Sequence, residues 1–167
     1  MELSKRKPTR LREFDYSQNG AYFITICTHK KQKILCDIVG EGLYDIPKNN
    51  LSEIGKIAEQ ELLNIERHYD NIKIHKYVIM PNHIHLIVRI MERINPFPTK
   101  KYDISNVIGK YKAGVTRIVG KAFMPSEKIW QRSFHDHIIR NENDYLKIWN
   151  YIDTNPQKWK EDCFYSE

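Results

Sequence analysis

The stretch from Tyr77 to Ile90, YVIMPNHIHLIVRI, constrains this chain more than any other. Two apolar, β-branched runs meet at Pro81-Asn82, a pair of turn formers, which predicts antiparallel neighbouring strands over Ile72 to Met80 and from His83 onward. Side chains alternate along a strand, so His83, His85, Ile87 and Arg89 share one face while Ile84, Leu86, Val88 and Ile90 share the other. The second set reads as a core face. The first carries two imidazoles whose nitrogens can converge on one metal ion, and an arginine that could meet an anion. A His-x-His pair alone fits equally well with histidines that are merely hydrogen-bonded in a half-buried strand, so the rest of the chain must decide.

Ala21 to Thr28, AYFITICT, is rich in aromatic and β-branched residues and predicts a first strand. Lys30 to Asn50 holds short apolar pieces around Gly40 and Gly42, which suggests a small hairpin or loop excursion. From Leu51 to His68, Ile54, Ile57, Ala58, Leu62 and Ile65 recur at helical spacing, with Asn50 and Glu53 as the expected capping pair. A Pro-rich break at Asn95 to Pro98 precedes a second amphipathic helix over Asp103 to Lys121. Ile104, Val107, Ile108, Tyr111, Val115 and Ile118 form its stripe, and Lys110, Arg117 and Lys121 lie on its other side. Ser133 to Arg140 reads as a last strand, and Asn143 to Asn155 as a last helix stopped by Pro156. Strand, helix, strand, strand, helix, strand is the ferredoxin-like order. It implies an α+β fold whose antiparallel sheet carries helices on one face and leaves an open face, free for a ligand, for His83 and His85.

The 167 residues suit one core, so residues 14–167 read as a single domain behind a flexible basic arm over 1–13. Three cysteines, with no C-x-x-C pair, argue against a disulfide framework or zinc knuckle and fit a reducing cytoplasm. No apolar run has the length to cross a bilayer, which excludes a membrane partner. The net charge of +6 is concentrated: residues 1–12 carry +4 and residues 91–141 carry +6, whereas the remaining stretches are acidic. Clusters of this kind suit a phosphate backbone. The candidate DNA contacts are Lys5, Arg6, Lys7, Arg10 and Arg12 on the arm, with Arg89, Lys110, Arg117, Lys121 and Arg132 beyond it.

On the last helix Tyr145, Ile148, Trp149 and Ile152 make the core stripe. Tyr151 falls on the flank in a ridge with Lys147 and Asn155. Tyrosine can act as a covalent nucleophile, but its free pKa near ~10 leaves it weak without a neighbouring cation or base.

YVIMPNHIHLIV, IGKYKAGVTRIV, WQRSFHDHIIR and YIDTNP, in that order and spacing, resemble the single-tyrosine HUH transposases, and among them the REP-associated tyrosine transposase branch. The likeness spans roughly residues 10–160. It implies a transposase that cleaves and rejoins single-stranded DNA beside hairpin ends through a 5′-phosphotyrosine. In that family the HUH histidines, here His83 and His85, bind a divalent cation. The tyrosine opening a Y-I-x-x-N/Q pattern, here Tyr151, is the nucleophile, and the polar residue four positions on, here Asn155, is a third ligand. Tyr145 is the rival nucleophile. Two imidazoles and an amide oxygen with vacant positions suit Mg²⁺ or Mn²⁺ better than a closed structural zinc. His135-Asp136-His137 is a second His-x-His pair, which the resemblance leaves outside the ligand set. Some relatives act as dimers, so a homodimer stays open. The alternative reading is a domesticated module that binds nucleic-acid hairpins without cutting. A weaker one is a metallonuclease that uses water, with Tyr151 only packing.

Overall fold

The computed structural model describes residues 15–40, 46–92 and 102–165. The basic arm with Lys5, Arg6, Lys7, Arg10 and Arg12, the Pro-rich break and part of the excursion near Gly42 lie outside the described residues.

The described chain forms strands β1 (Gly20–Cys27), β2 (Cys36–Val39) and β3 (Lys48–Leu51), helix α1 (Glu53–His68), strands β4 (Ile72–Met80) and β5 (His83–Ile90), helix α2 (Ile104–Ala122), strand β6 (His135–Ile139) and helix α3 (Glu142–Thr154). β4, β5, β1 and β6 lie side by side in that order, and every pairing is antiparallel. That is the arrangement the ferredoxin-like pattern requires, so the α+β expectation holds. β2 and β3 form a separate two-stranded ribbon, the excursion expected between β1 and α1.

Alternation along the strands sorts the side chains as expected. Ile84, Leu86, Val88 and Ile90 join Tyr22, Ile24 and Ile26 of β1 in the main core. Ala58, Leu62 and Ile65 of α1, with Val107, Ile108, Tyr111, Val115 and Val119 of α2, close that core from above. Leu86 is fully buried there. Leu86→Ala is expected to cost about 2–5 kcal/mol in urea unfolding, the range for a leucine removed from a core that collapses only partly. A loss under about 1 kcal/mol would mean this layer is loosely packed.

Helix starts follow side-chain capping. Ser52 Oγ accepts from the Gly55 N–H at 3.0 Å, Asp103 caps α2 through the Ser105 N–H and Asn141 caps α3 through the Asp144 N–H. The cap of α1 is therefore Ser52, not the expected Asn50 and Glu53 pair. β3 runs through Leu51 and pairs Asn50 with Asp37, so Ser52 is the first residue free to take the role. Gly55 belongs to the same junction: a Cβ there would sit 1.9 Å from the Leu35 carbonyl oxygen, so only glycine lets α1 approach that backbone. α3 ends at Thr154, and the chain continues as a 3-10 segment over Asn155–Glu161, with Pro156 in its first turn where a missing N–H does no harm.

The second sheet face differs from the expectation in one respect that matters for the site. α3 and the 3-10 segment pack on it, with Ile152 and Trp159 against Val78, Met80 and Ile87 in a smaller second core. The β4 and β5 half of this face is therefore roofed. The more accessible part lies along β6, where His135 and His137 are exposed beside the half-buried Phe23.

Candidate active site

His83 and His85 do share a face, but it is not open to solvent around them. His83 is 0% and His85 1% exposed. Their rings lie 4.4 Å apart, and the Phe164 ring covers both at 4.8 and 5.6 Å. Trp159 packs against His83 from the 3-10 segment. The surroundings are nonetheless polar: one ring nitrogen of each histidine and a carboxylate oxygen of Asp162 lie within 4.8 Å of one another.

Hydrogen bonds fix the tautomer of one ring. The Asn82 side-chain amide donates to the Phe164 carbonyl at 2.9 Å, so its oxygen faces His83 Nδ1 at 2.8 Å. An amide oxygen only accepts; His83 Nδ1 must carry the proton, leaving a lone pair on Nε2. That Nε2 is buried and has no hydrogen-bond partner. His85 Nδ1 lies 2.8 Å from Thr25 Oγ1, its cross-strand neighbour on β1, and His85 Nε2 lies 3.1 Å from the Tyr151 hydroxyl.

Tyr151 reaches the histidines from α3, while Tyr145 does not. The Tyr145 hydroxyl is engaged by His75 Nδ1 at 2.8 Å, well down the sheet. Tyr151 is 37% exposed and sits edge-on to Phe23. Its hydroxyl donates to Asp162 Oδ2 at 2.8 Å. Burial, and then the Asp162 carboxylate, push the phenol well above its usual range. It is therefore an un-ionised phenol that needs positive charge nearby before it becomes a strong nucleophile.

Asn155, the first residue past α3, is 1% exposed. Its Nδ2 donates to Asp162 Oδ2 at 2.7 Å and its Oδ1 has no partner. Two buried lone-pair atoms, His83 Nε2 and Asn155 Oδ1, are thus left unsatisfied at one site, where each orphan ordinarily costs about 1–3 kcal/mol. A cation fits such a donor set, because it satisfies lone pairs that no protein donor reaches. Burial holds His83 down at about 3, with His85 beside it adding to the effect, so the ring is neutral and ready to ligate at any ordinary pH.

Asp162 was not singled out in the sequence. Burial alone would raise its carboxyl, but hydrogen bonds with His85, Asn155, the Phe164 N–H and Tyr151 outweigh that and hold it well below the usual range. The second His-x-His stays apart: His137 Nε2 pairs with Asp144 at 2.8 Å, and the His135 ring only flanks Phe164.

The expected DNA contacts divide by location. Arg89 is exposed on the histidine face at the far end of β5, in a groove of about 600 Å³ shared with Arg140 and Tyr145. Lys110, Arg117 and Lys121 are exposed on α2, which covers the opposite face of the sheet. Lys110 and Arg117 line a cleft of about 530 Å³ with Tyr69 and Tyr102. Arg132 is exposed ahead of β6. The structure does not gather these cations around the imidazoles. Among the described residues no helix is long and apolar enough to cross a membrane.

The sequence profile described as "Transposase IS200 like" matches residues 16–155, which span every element from β1 through α3. The chain belongs to the IS200-like transposase family. An uncharacterized protein of Haemophilus influenzae is 32% identical to this family member, over 98% of this chain and 94% of the other. A putative REP-associated tyrosine transposase from the same organism is 27% identical over 86% of this chain and 74% of its own. Among solved structures, a REP-associated tyrosine transposase bound to a REP hairpin superposes with a TM-score of 0.64 at 22% identity, covering 90% of this chain and 73% of that one. A putative transposase from Deinococcus radiodurans superposes with a TM-score of 0.50 at 16% identity, covering 87% and 95%. At those identities the superpositions speak for a shared fold.

Proposed function

We propose that this IS200-like family member is a metal-dependent transposase that cleaves and rejoins single-stranded DNA at hairpin-flanked sites. The observation that carries the reading is the Tyr151 hydroxyl 3.1 Å from His85 Nε2, beside the unpartnered His83 Nε2 and Asn155 Oδ1. His83, His85 and Asn155 would hold Mg²⁺ or Mn²⁺, which when bound supplies positive charge to the scissile phosphate and to the phenol.

Tyr151 is the nucleophile. Its Oη forms a bond to phosphorus as the bond from phosphorus to the 3′ oxygen breaks. The phenol proton leaves to solvent and the departing oxygen takes one up as a free 3′-hydroxyl. The 5′-phosphotyrosine keeps the phosphodiester energy, so attack by another 3′-hydroxyl rejoins strands without ATP. Hairpin-bearing DNA is the partner, in keeping with the REP hairpin bound to the structural relative. Arg89 on the histidine face supports the reading as a phosphate contact. Lys110, Arg117, Lys121 and Arg132 would serve duplex or flanking phosphates away from the chemistry.

The test is a single-stranded oligonucleotide with a hairpin, labelled at its 3′ end and incubated with Mn²⁺. A denaturation-resistant protein–DNA adduct carrying the 3′ label is expected. Tight hairpin binding with no cleavage in Mg²⁺ or Mn²⁺ would instead establish a binding module. Cleavage without an adduct would establish hydrolysis by water.

A further inference from the structure

We infer that Asp162 is a positioning residue that sets both the nucleophile and the third metal donor. The inference rests on the function proposed above and adds a residue from beyond the last helix to its site. Asp162 lies eleven positions after Tyr151, on the turn that follows the 3-10 segment, and its side chain is fully buried.

A single oxygen, Oδ2, accepts from two donors: the Tyr151 hydroxyl at 2.8 Å and Asn155 Nδ2 at 2.7 Å. The other, Oδ1, accepts from the Phe164 N–H at 2.6 Å, which holds the carboxylate plane in place. A carboxylate oxygen offers two lone-pair directions, and on Oδ2 both are used.

The consequence for Asn155 is orientation. The oxygen and nitrogen of a carboxamide diverge from one trigonal carbon, so anchoring Nδ2 on Asp162 fixes where Oδ1 points. That oxygen is the buried, unpartnered atom. Without the carboxylate the amide is free to flip and present an N–H where a cation needs a lone pair. The consequence for Tyr151 is placement. A half-exposed phenol on a helix flank has freedom about its side-chain bonds, and the charge-assisted bond to Asp162 holds its oxygen 3.1 Å from His85 Nε2. Asp162 Oδ2 itself stands 3.9 Å from His85 Nε2, close enough to order the group around the histidines.

A residue that acts through another is recognised by a double-mutant cycle. Mn²⁺ affinity is measured by titration for the full chain, Asp162→Ala, Asn155→Ala and the double variant. Asp162→Ala is expected to weaken Mn²⁺ by about 10–100-fold, the usual effect of losing an outer-shell partner. The double variant should bind within about twofold of the weaker single variant, since both changes remove the same oriented oxygen. Asp162→Asn keeps the shape and one acceptor; it should melt like the parent, give an intermediate loss, and replace the alanine variant in the cycle if that one does not fold.

Multiplying losses in the double variant would overturn the inference by making Asp162 a direct ligand. Unchanged Mn²⁺ affinity in a folded Asp162→Asn chain would overturn it by making the residue merely structural. In saturating Mn²⁺, Asp162→Asn should still slow adduct formation because Tyr151 has lost its anchor; an equal rate overturns that half. If the parent chain forms no adduct at all, the proposed function fails, while the Mn²⁺ cycle still decides the role of Asp162.

Discussion

Tyr151→Phe is expected to abolish the covalent protein–DNA adduct, by about 10⁴-fold or to the detection limit, while the folded chain still binds the hairpin. Removing a nucleophile eliminates the step itself, and effects of that size are typical of such losses. The substitution deletes only the hydroxyl. The ring keeps its contacts with Phe23 at 6.1 Å and His85 at 5.1 Å between centroids, so the helix stays seated. Asp162 loses one of its donors, a cost of about 1.5–3 kcal/mol for a bond to a charged group, below the total stability of an ordinary domain. Tyr145→Phe is the matched control: its hydroxyl serves His75, and its removal should leave adduct formation within a few-fold of the parent. Adduct formation by Tyr151→Phe at the parent rate would move the nucleophile elsewhere, and loss in Tyr145→Phe would say where.

The contrast between these two tyrosines shows what a sequence pattern carries. Tyr145 falls on the core stripe of the last helix and Tyr151 on its flank, a distinction readable from helical spacing, and the structure separates their hydroxyls accordingly. The register of β5 was equally legible, because period-two alternation sends Ile84, Leu86 and Val88 to one core and leaves His83 and His85 opposite. Asp162 was hidden for a physical reason. It belongs to no periodic element, and its meeting with Tyr151 and Asn155 depends on how the 3-10 segment folds back after Pro156. The same fold-back brings Trp159 and Phe164 over the imidazoles, which is why a face expected to be open is roofed at the site. Ser52 was missed because pairing energy in β3 decides which polar residue is left to cap α1, and that competition is tertiary.

His83→Ala should remove Mn²⁺ binding by more than the about 10–100-fold typical of an outer-shell change, since it deletes a donor atom outright. The pH dependence sharpens the test. Burial, reinforced by His85, lowers His83 to about 3, and burial also lowers His85, with the Asp162 carboxylate opposing. In the unfolded chain both rings titrate near ~6.5. Between those values the unfolded chain binds more protons than the folded one, so stability rises with pH there and is lost as pH falls from about 6.5 toward 3. Two results follow. Mn²⁺ affinity should hold nearly constant from pH 7.5 to 5.5, because protons compete poorly for rings kept neutral by burial, whereas exposed imidazole ligands would weaken steadily over that interval. In metal-free buffer, His83→Ala should lose less stability than the parent between pH 7 and pH 5, because one of the groups that binds a proton only on unfolding is gone. Mn²⁺ binding that fades with a midpoint near 6.5 would mean that the imidazoles meet solvent when they ligate. The enclosed pair would then be only one of two states of the site, the other having Phe164 displaced.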